Sequence, residues 1–246
     1  MKTIGIIGGL GPMATVYYLE LITRMTDVDS DQKHPRIYMQ SIPDIPDRTA
    51  YILGESKESP LDLMVQAGKS LASMGADFLT IPCVTAHYFY SELQKQVTIP
   101  VINLLDEIAG TLTSMKVNKV GILATSGTNQ SKVLEEKIKE KGISVVLPDE
   151  KRQNMLMDII YNQIKGGRRV YWEQFHEVAL WMQNHGAQKL ILGCTELPLL
   201  RRDSLQAHNP LVRELLKEDC IDVLEVLARA AVKRSEVPYK PFGLFS

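Results

Sequence analysis

The sequence repeats itself. Lys2-Thr3-Ile4-Gly5-Ile6-Ile7-Gly8 is echoed by Asn118-Lys119-Val120-Gly121-Ile122-Leu123-Ala124. Gly75-Ala76-Asp77-Phe78-Leu79-Thr80-Ile81-Pro82-Cys83-Val84-Thr85 is echoed by Gly186-Ala187-Gln188-Lys189-Leu190-Ile191-Leu192-Gly193-Cys194-Thr195-Glu196. A third, weaker echo pairs Pro100-Val101-Ile102-Asn103 with Cys220-Ile221-Asp222-Val223, each leading into a helical pattern. The matches run in the same order at similar separations: Gly5 to Cys83 is 78 positions and Gly121 to Cys194 is 73. The chain therefore reads as two pseudo-equivalent halves, each placing one cysteine at the C-terminal end of a strand.

Short β-branched runs alternate with amphipathic stretches, the pattern of α/β folds with parallel sheets. Strands are predicted over 3–7, 36–40, 78–81, 101–103, 120–124, 144–147, 189–192 and 220–223. Helices are predicted over 14–25, 60–74, 85–96, 131–141, 153–165, 171–184 and 223–234, several of them stopped by glycine. In open α/β sheets ligands bind at the C-terminal strand edge. Two such edges facing one another would enclose a cleft, with both thiols directed into it.

The remaining composition narrows the chemistry by exclusion. A net charge of −1 gives no electrostatic footprint for nucleic acid or an anionic membrane. No apolar run approaches a membrane span, and the N-terminus lacks the long apolar region of a signal peptide, so a cytoplasmic protein is expected. Three cysteines are too few, and too odd a number, for a disulfide framework. No C-x-x-C pair exists and the five histidines lack ligand spacing, so no metal is expected. Gly9-Leu10-Gly11-Pro12-Met13-Ala14 fits a dinucleotide fingerprint, but the first acid after the following strand is Asp44, 33 positions beyond Gly11, and the motif wants one about 20 on. Those glycines instead suit close backbone approach to a small substrate.

Two thiols on opposite walls suit proton transfer at a carbon centre. Inversion removes a proton from one face and returns one to the other, which two bases achieve without moving the substrate. Cysteine serves as either partner because its ordinary pKa is not far from neutral. Each cysteine precedes a helix start, whose free N–H groups and dipole favour a thiolate. Thr85 and Thr195 follow as candidate caps, and their donors could hold a substrate carboxylate that becomes enediolate-like. Cys220 has no matched partner and reads as packing.

These motifs resemble the aspartate/glutamate racemase family, the cofactor-independent group. The resemblance runs from Met1 to about Lys233. It is carried by Gly8-Gly9-Leu10-Gly11-Pro12, Ile45-Pro46-Asp47-Arg48-Thr49, Pro82-Cys83-Val84-Thr85-Ala86-His87, Ala124-Thr125-Ser126-Gly127-Thr128, Ile164-Lys165-Gly166-Gly167 and Gly193-Cys194-Thr195-Glu196-Leu197-Pro198. It implies two pseudo-symmetric three-layer α/β/α domains with parallel four-stranded sheets and an active site between them. The first is expected over 1–102, joined by the segment 218–246, and the second over 103–217. It further implies a homodimer, neither pyridoxal phosphate nor metal, and Cys83 and Cys194 as the acid/base pair acting on an acidic amino acid. Arg48 then resembles the residue that pairs with a substrate carboxylate, and Lys165 a second cation suited to a diacid. Leu10, Thr85, Thr128, Thr195 and Glu196 resemble further contributors to the pocket.

The sequence departs from that pattern in three places. Val84 stands where aspartate racemase-like members usually have Asn, Val223 where a hydroxyl residue often follows the aspartate, and 201–218 is longer than usual. Loss of an amide weakens discrimination by a hydrogen-bonding site. Two rival functions follow: a decarboxylase or cis–trans isomerase of small diacids on the same scaffold, and a non-catalytic amino-acid-binding relative.

Overall fold

The computed structural model describes residues 1–206 and 210–240. The first half runs β1 (Ile4–Gly8), α1 (Pro12–Met25), β2 (Ile37–Ser41), α2 (Arg48–Ile52), α3 (Leu61–Ser73), β3 (Phe78–Thr80), α4 (Tyr90–Gln96) and α5 (Leu104–Ser114). The second runs β4 (Lys119–Leu123), α6 (Ser126–Ser131), α7 (Val133–Lys139), β5 (Ser144–Val146), α8 (Glu150–Met157), α9 (Trp172–Asn184), β6 (Lys189–Leu192), α10 (Leu197–Gln206), α11 (Pro210–Glu218), β7 (Cys220–Asp222) and α12 (Val223–Arg234). Among the described residues all strand pairs are parallel, in the orders β2-β1-β3 and β5-β4-β6-β7.

The repeat persists in the packing. A Cβ on Gly5 would lie 2.7 Å from Leu79 Cδ2 and 3.0 Å from Ala76; one on Gly121 would lie 2.7 Å from Leu190 Cδ2 and 3.3 Å from Ala187. Leu79 and Leu190, like Ala76 and Ala187, are partners in the sequence repeat, so each half uses its glycine to admit the same leucine.

Alternation along each strand divides three cores. Ile4, Ile6, Phe78, Val120, Ile122 and Ile191 point into a central core shared with α1, α5, α7 and α12. Ile7 and Leu79 face a core under α3 and α4, whereas Leu123, Leu190 and Leu192 face one under α8, α9 and α11. Both faces of both sheets are thus covered, which is why the strands read as unbroken apolar runs. The central core unites the halves.

Several expectations need correction. The first sheet has three strands, not four, because residue 101 makes only a single parallel bridge to Leu79. Pro100 has no N–H, Val101 N–H donates to the Gln94 side chain (2.7 Å), and Asn103 turns away to cap α5 through Leu105 N–H (3.0 Å). The helix predicted over 85–96 begins as a 3-10 turn, Thr85–Phe89, before α4. That over 131–141 is broken at Lys132, whose φ is +57°. That over 153–165 starts as α8 and ends as a π-helix, Asp158–Lys165.

The segment 218–246 divides. Its strand, β7, pairs with β6 in the second sheet, and α12 packs on α1 and α5. The stretch after it returns to the first half, where Asp27 N–H donates to Pro238 O (2.9 Å) and Lys240 N–H to Met25 O (2.8 Å). Part of the insertion expected at 201–218, and residues 241–246, lie outside the described residues.

Candidate functional site

The cysteines end matched strands. Cys83 lies three residues after β3, and Cys194 two after β6; both are buried. They line the same narrow cleft at the C-terminal edges of the two sheets. The first half contributes Leu10 from the loop before α1, Arg48 from the start of α2, and Val84 and Thr85 after Cys83. The second contributes Lys165 at the end of the π-helix and Thr195 and Glu196 after Cys194. Of the expected site residues only Thr128 falls outside the lining. It stands one layer back, its hydroxyl 2.8 Å from that of Thr85.

That contact belongs to a hydroxyl cluster on the seam between halves. Thr49 donates to Thr125 (3.1 Å), and Thr125 is 3.2 Å from Thr128 and 3.3 Å from Thr85. The Thr85 hydroxyl is therefore engaged with the second half and does not cap its own helix, as had been expected. Gly127 makes the approach possible, since a Cβ there would lie 2.8 Å from Thr49 Cα.

The surroundings of the two sulfurs differ in charge. Arg48 is buried, and its guanidinium faces Cys83. Burial pulls its pKa down, but the Cys83 sulfur and Asp47 outweigh that and hold it above the ordinary arginine value. Its Nη1 donates to the carbonyls of Ile45 (3.1 Å) and Pro46 (3.0 Å), and its Nη2 to Leu10 O (3.0 Å). These bonds tie the glycine loop to the turn before α2. The buried Nε–H has no hydrogen-bond partner, and the guanidinium is close enough to Cys83 for a hydrogen bond with its sulfur.

Cys194 instead faces an acid. Its thiol donates to Glu196 Oε2 over 2.9 Å. Burial and the Glu196 carboxylate push this thiol well above its ordinary pKa, against a smaller opposing pull from Lys165. The helix-start argument for a ready thiolate thus fails at Cys194, where desolvation and a like charge outweigh the dipole of α10.

Lys165 Nζ lies 3.8 Å from Glu196 Oε1 and 4.2 Å from the Tyr161 ring centroid. Burial lowers its pKa, but Glu196, Cys194 and Tyr161 raise it more, to about 12, so it stays a cation. The Tyr161 hydroxyl reaches Asp47 at 3.2 Å, and Asp47 also caps α2 through Ala50 N–H (2.9 Å). The π-helix places Tyr161 and Lys165, four residues apart, over the cleft; such helices recur at functional sites.

Asp47, Thr49, Thr125 and Tyr161 line the cleft as well. Asp47, Thr49 and Thr125 stand inside the motifs quoted for the resemblance, which is the signal that could have found them. Tyr161 had no such signal.

The glycine loop is shaped by contact. Gly9 has φ +90°, and a Cβ there would lie 2.4 Å from the Ile42 backbone. A Cβ on Gly11 would sit 3.0 Å from Glu196 Oε1. Close approach is required, but the groups approaching are Ile42 and Glu196. His87 is fully buried in the first half, its Nδ1 2.8 Å from Cys83 O. Burial lowers its pKa, so it is neutral and holds the cysteine loop. Among the described residues no cluster of His, Cys, Asp and Glu could hold a metal. None of their helices is long and apolar enough to cross a membrane.

Comparison with known proteins bears on this arrangement. The profile of the Asp/Glu/Hydantoin racemase family matches residues 7–231. The chain belongs to that family. Among solved structures, this racemase-family chain is similar to the Picrophilus torridus aspartate racemase, with 30% identity, a TM-score of 0.84, and coverage of 98% of this chain and 96% of that one. It is also similar to an aspartate racemase homologue from Pyrococcus horikoshii OT3 (25% identity, TM-score 0.74, 96% of this chain and 100% of that one). Among curated proteins it is 26% identical over 220 residues to the broad specificity amino-acid racemase RacX of Bacillus subtilis (strain 168), covering 85% of this chain and 91% of RacX.

Outside the cleft lies a wider groove, with walls that include Met13, Ile45, Ile164 and Leu199. Asp47, Arg48, Lys165 and Glu196 border both spaces and form the partition between them.

Proposed function

We propose that this racemase-family chain inverts the Cα of an acidic amino acid by a two-base mechanism using Cys83 and Cys194. The observation that carries the reading is the pair of repeat-related cysteines in one cleft, one facing a guanidinium and the other donating to a carboxylate. Cys194 starts as the thiol and general acid; Cys83 starts as the base; the roles exchange in the reverse direction. The Arg48 guanidinium receives the α-carboxylate and supports charge as the carbanion delocalises onto it. Lys165 attracts the side-chain carboxylate from the partition. Homodimeric assembly and a cytoplasmic location are part of the same proposal, supported by the family resemblance.

A broader range of neutral amino acids is the second reading. Val84 in the cleft wall and the apolar sides of the outer groove favour it, as does the similarity to RacX.

The test is deuterium wash-in at Cα in heavy water with aspartate, glutamate and a panel of neutral amino acids. Racemisation lost in both Cys83→Ala and Cys194→Ala, with any remaining wash-in confined to one enantiomer and opposite in the two variants, supports two-base racemisation, and the preferred substrate decides between the readings. Racemisation surviving either substitution, or binding with no exchange across the panel by the parent enzyme, overturns it.

A further inference from the structure

Glu196 was expected to touch substrate, but its carboxylate is already engaged on both sides. One oxygen accepts the Cys194 thiol at 2.9 Å, and the other lies 3.8 Å from Lys165 Nζ. The same oxygen is the atom that a Cβ on Gly11 would meet. Glu196 is buried, yet it borders both the cysteine cleft and the outer groove. It therefore spans from a catalytic sulfur to the route by which solvent reaches the site.

A two-base racemase needs such a connection. After one turnover in which Cys83 took the α-proton and Cys194 supplied one, Cys83 is a thiol and Cys194 a thiolate. A second turnover in the same direction requires Cys194 to regain a proton and Cys83 to lose one. Cys194 is enclosed, and the carboxylate is the acid/base group in hydrogen-bond contact with it.

We propose that Glu196 is the proton relay that resets Cys194, an inference that rests on the two-base reading above. In the resting site Glu196 is the carboxylate that accepts the Cys194 thiol; after a turnover it takes a proton from solvent in the outer groove. It passes that proton to the Cys194 thiolate and returns to the carboxylate, while the Cys83 proton leaves to solvent, so that one proton enters and one departs per cycle. Lys165 and Tyr161 from the π-helix, Asp47 and Arg48 from the start of α2, and Cys83 from the loop after β3 are the charged and titratable groups around this path. Lys165 favours the anionic form of Glu196 and Cys194 alike. Glu196 thus acts through Cys194 as a positioning residue, not on substrate.

Glu196→Gln and Glu196→Asp test this on the whole enzyme. A glutamine keeps the size and a hydrogen-bond acceptor but cannot carry a proton. Because the reset follows product release, its loss should lower kcat about tenfold or more while KM falls in step, leaving kcat/KM within about threefold of the parent. Glu196→Asp should recover most of kcat. Independently of turnover, iodoacetamide labelling of the Cys194 peptide, followed by mass spectrometry across pH, should show its midpoint move down by about one pH unit in Glu196→Gln. An unmoved labelling midpoint overturns the proposal, as does a fall of kcat/KM as large as that of kcat. If the parent enzyme exchanges no amino acid, the two-base reading falls and the relay falls with it. A labelling shift would then establish only the Cys194–Glu196 coupling.

Discussion

Tyr161 donates its hydroxyl to Asp47 at 3.2 Å, joining the π-helix of the second half to the cap of α2 in the first. The bond joins the elements that carry Arg48 and Lys165, the two groups that hold the substrate in the proposed mechanism.

Tyr161→Phe should therefore loosen the cleft without emptying it. The ring would remain beneath Lys165, while Asp47 would keep its bond to Ala50. The expected outcome is a several-fold higher KM with a smaller change in kcat, and a stability loss of about 1 kcal/mol. Steady-state kinetics and urea denaturation check both.

Gly9 and Gly75 both have positive φ, +90° and +95°, but their surroundings differ. A Cβ on Gly75 meets nothing within 4 Å, whereas one on Gly9 lies 2.4 Å from the Ile42 backbone. Gly75→Ala should cost about 1 kcal/mol of backbone strain. Gly9→Ala should cost more, about 3 kcal/mol, because Ile42 must also move. Thermal unfolding of the pair measures the difference, and equal losses would contradict the packing argument.

Asp222 caps α12 and accepts from Tyr17 (3.1 Å), yet burial and nearby Glu225 raise its pKa to about 7, against the pull of Arg201. An acid held above its unfolded value binds its proton more tightly folded than unfolded. Its contribution to stability is thus fully present below about pH 4 and is lost as pH rises toward 7. Asp222→Asn keeps a capping acceptor but does not titrate. The variant should lose that part of the decline, seen by comparing denaturation midpoints at pH 5 and pH 8 in both proteins. Parallel pH profiles would sink the assignment.

Glu225 and Arg201 form a buried pair at 3.0 Å in the same cluster. Arg201→Met should destabilise by about 3–5 kcal/mol, since it leaves buried carboxylates facing one another. Chemical denaturation reads this directly.

Val84 lies in the cleft wall, 1% exposed. Val84→Asn would replace the isopropyl group in the wall with an amide, and aspartate turnover should rise. A racemisation assay with aspartate and a neutral amino acid checks it, and unchanged or reduced aspartate activity would refute it. Val223 does not line the cleft; it is buried at the first turn of α12 in the central core. The departure there is a matter of packing.

What the sequence by itself determined is the scaffold and the pair of thiols. Internal echoes and apolar runs mark local preferences, and a parallel strand buried on both faces leaves its signature in consecutive residues. Gly5 and Gly121 admit Leu79 and Leu190 because the two halves carry the same local text. Only the tertiary structure decided the character of each sulfur. Burial, the 2.9 Å contact to Glu196 and the reach of Lys165 from the π-helix depend on side chains brought together across the halves. Tyr161 meets Asp47 over 114 positions of sequence, and the fourth strand of the first sheet stops at a single bridge because Pro100 has no N–H to extend the ladder and Asn103 already caps α5. Electrostatics and desolvation are set by distance in space, and spacing along the chain does not encode that distance.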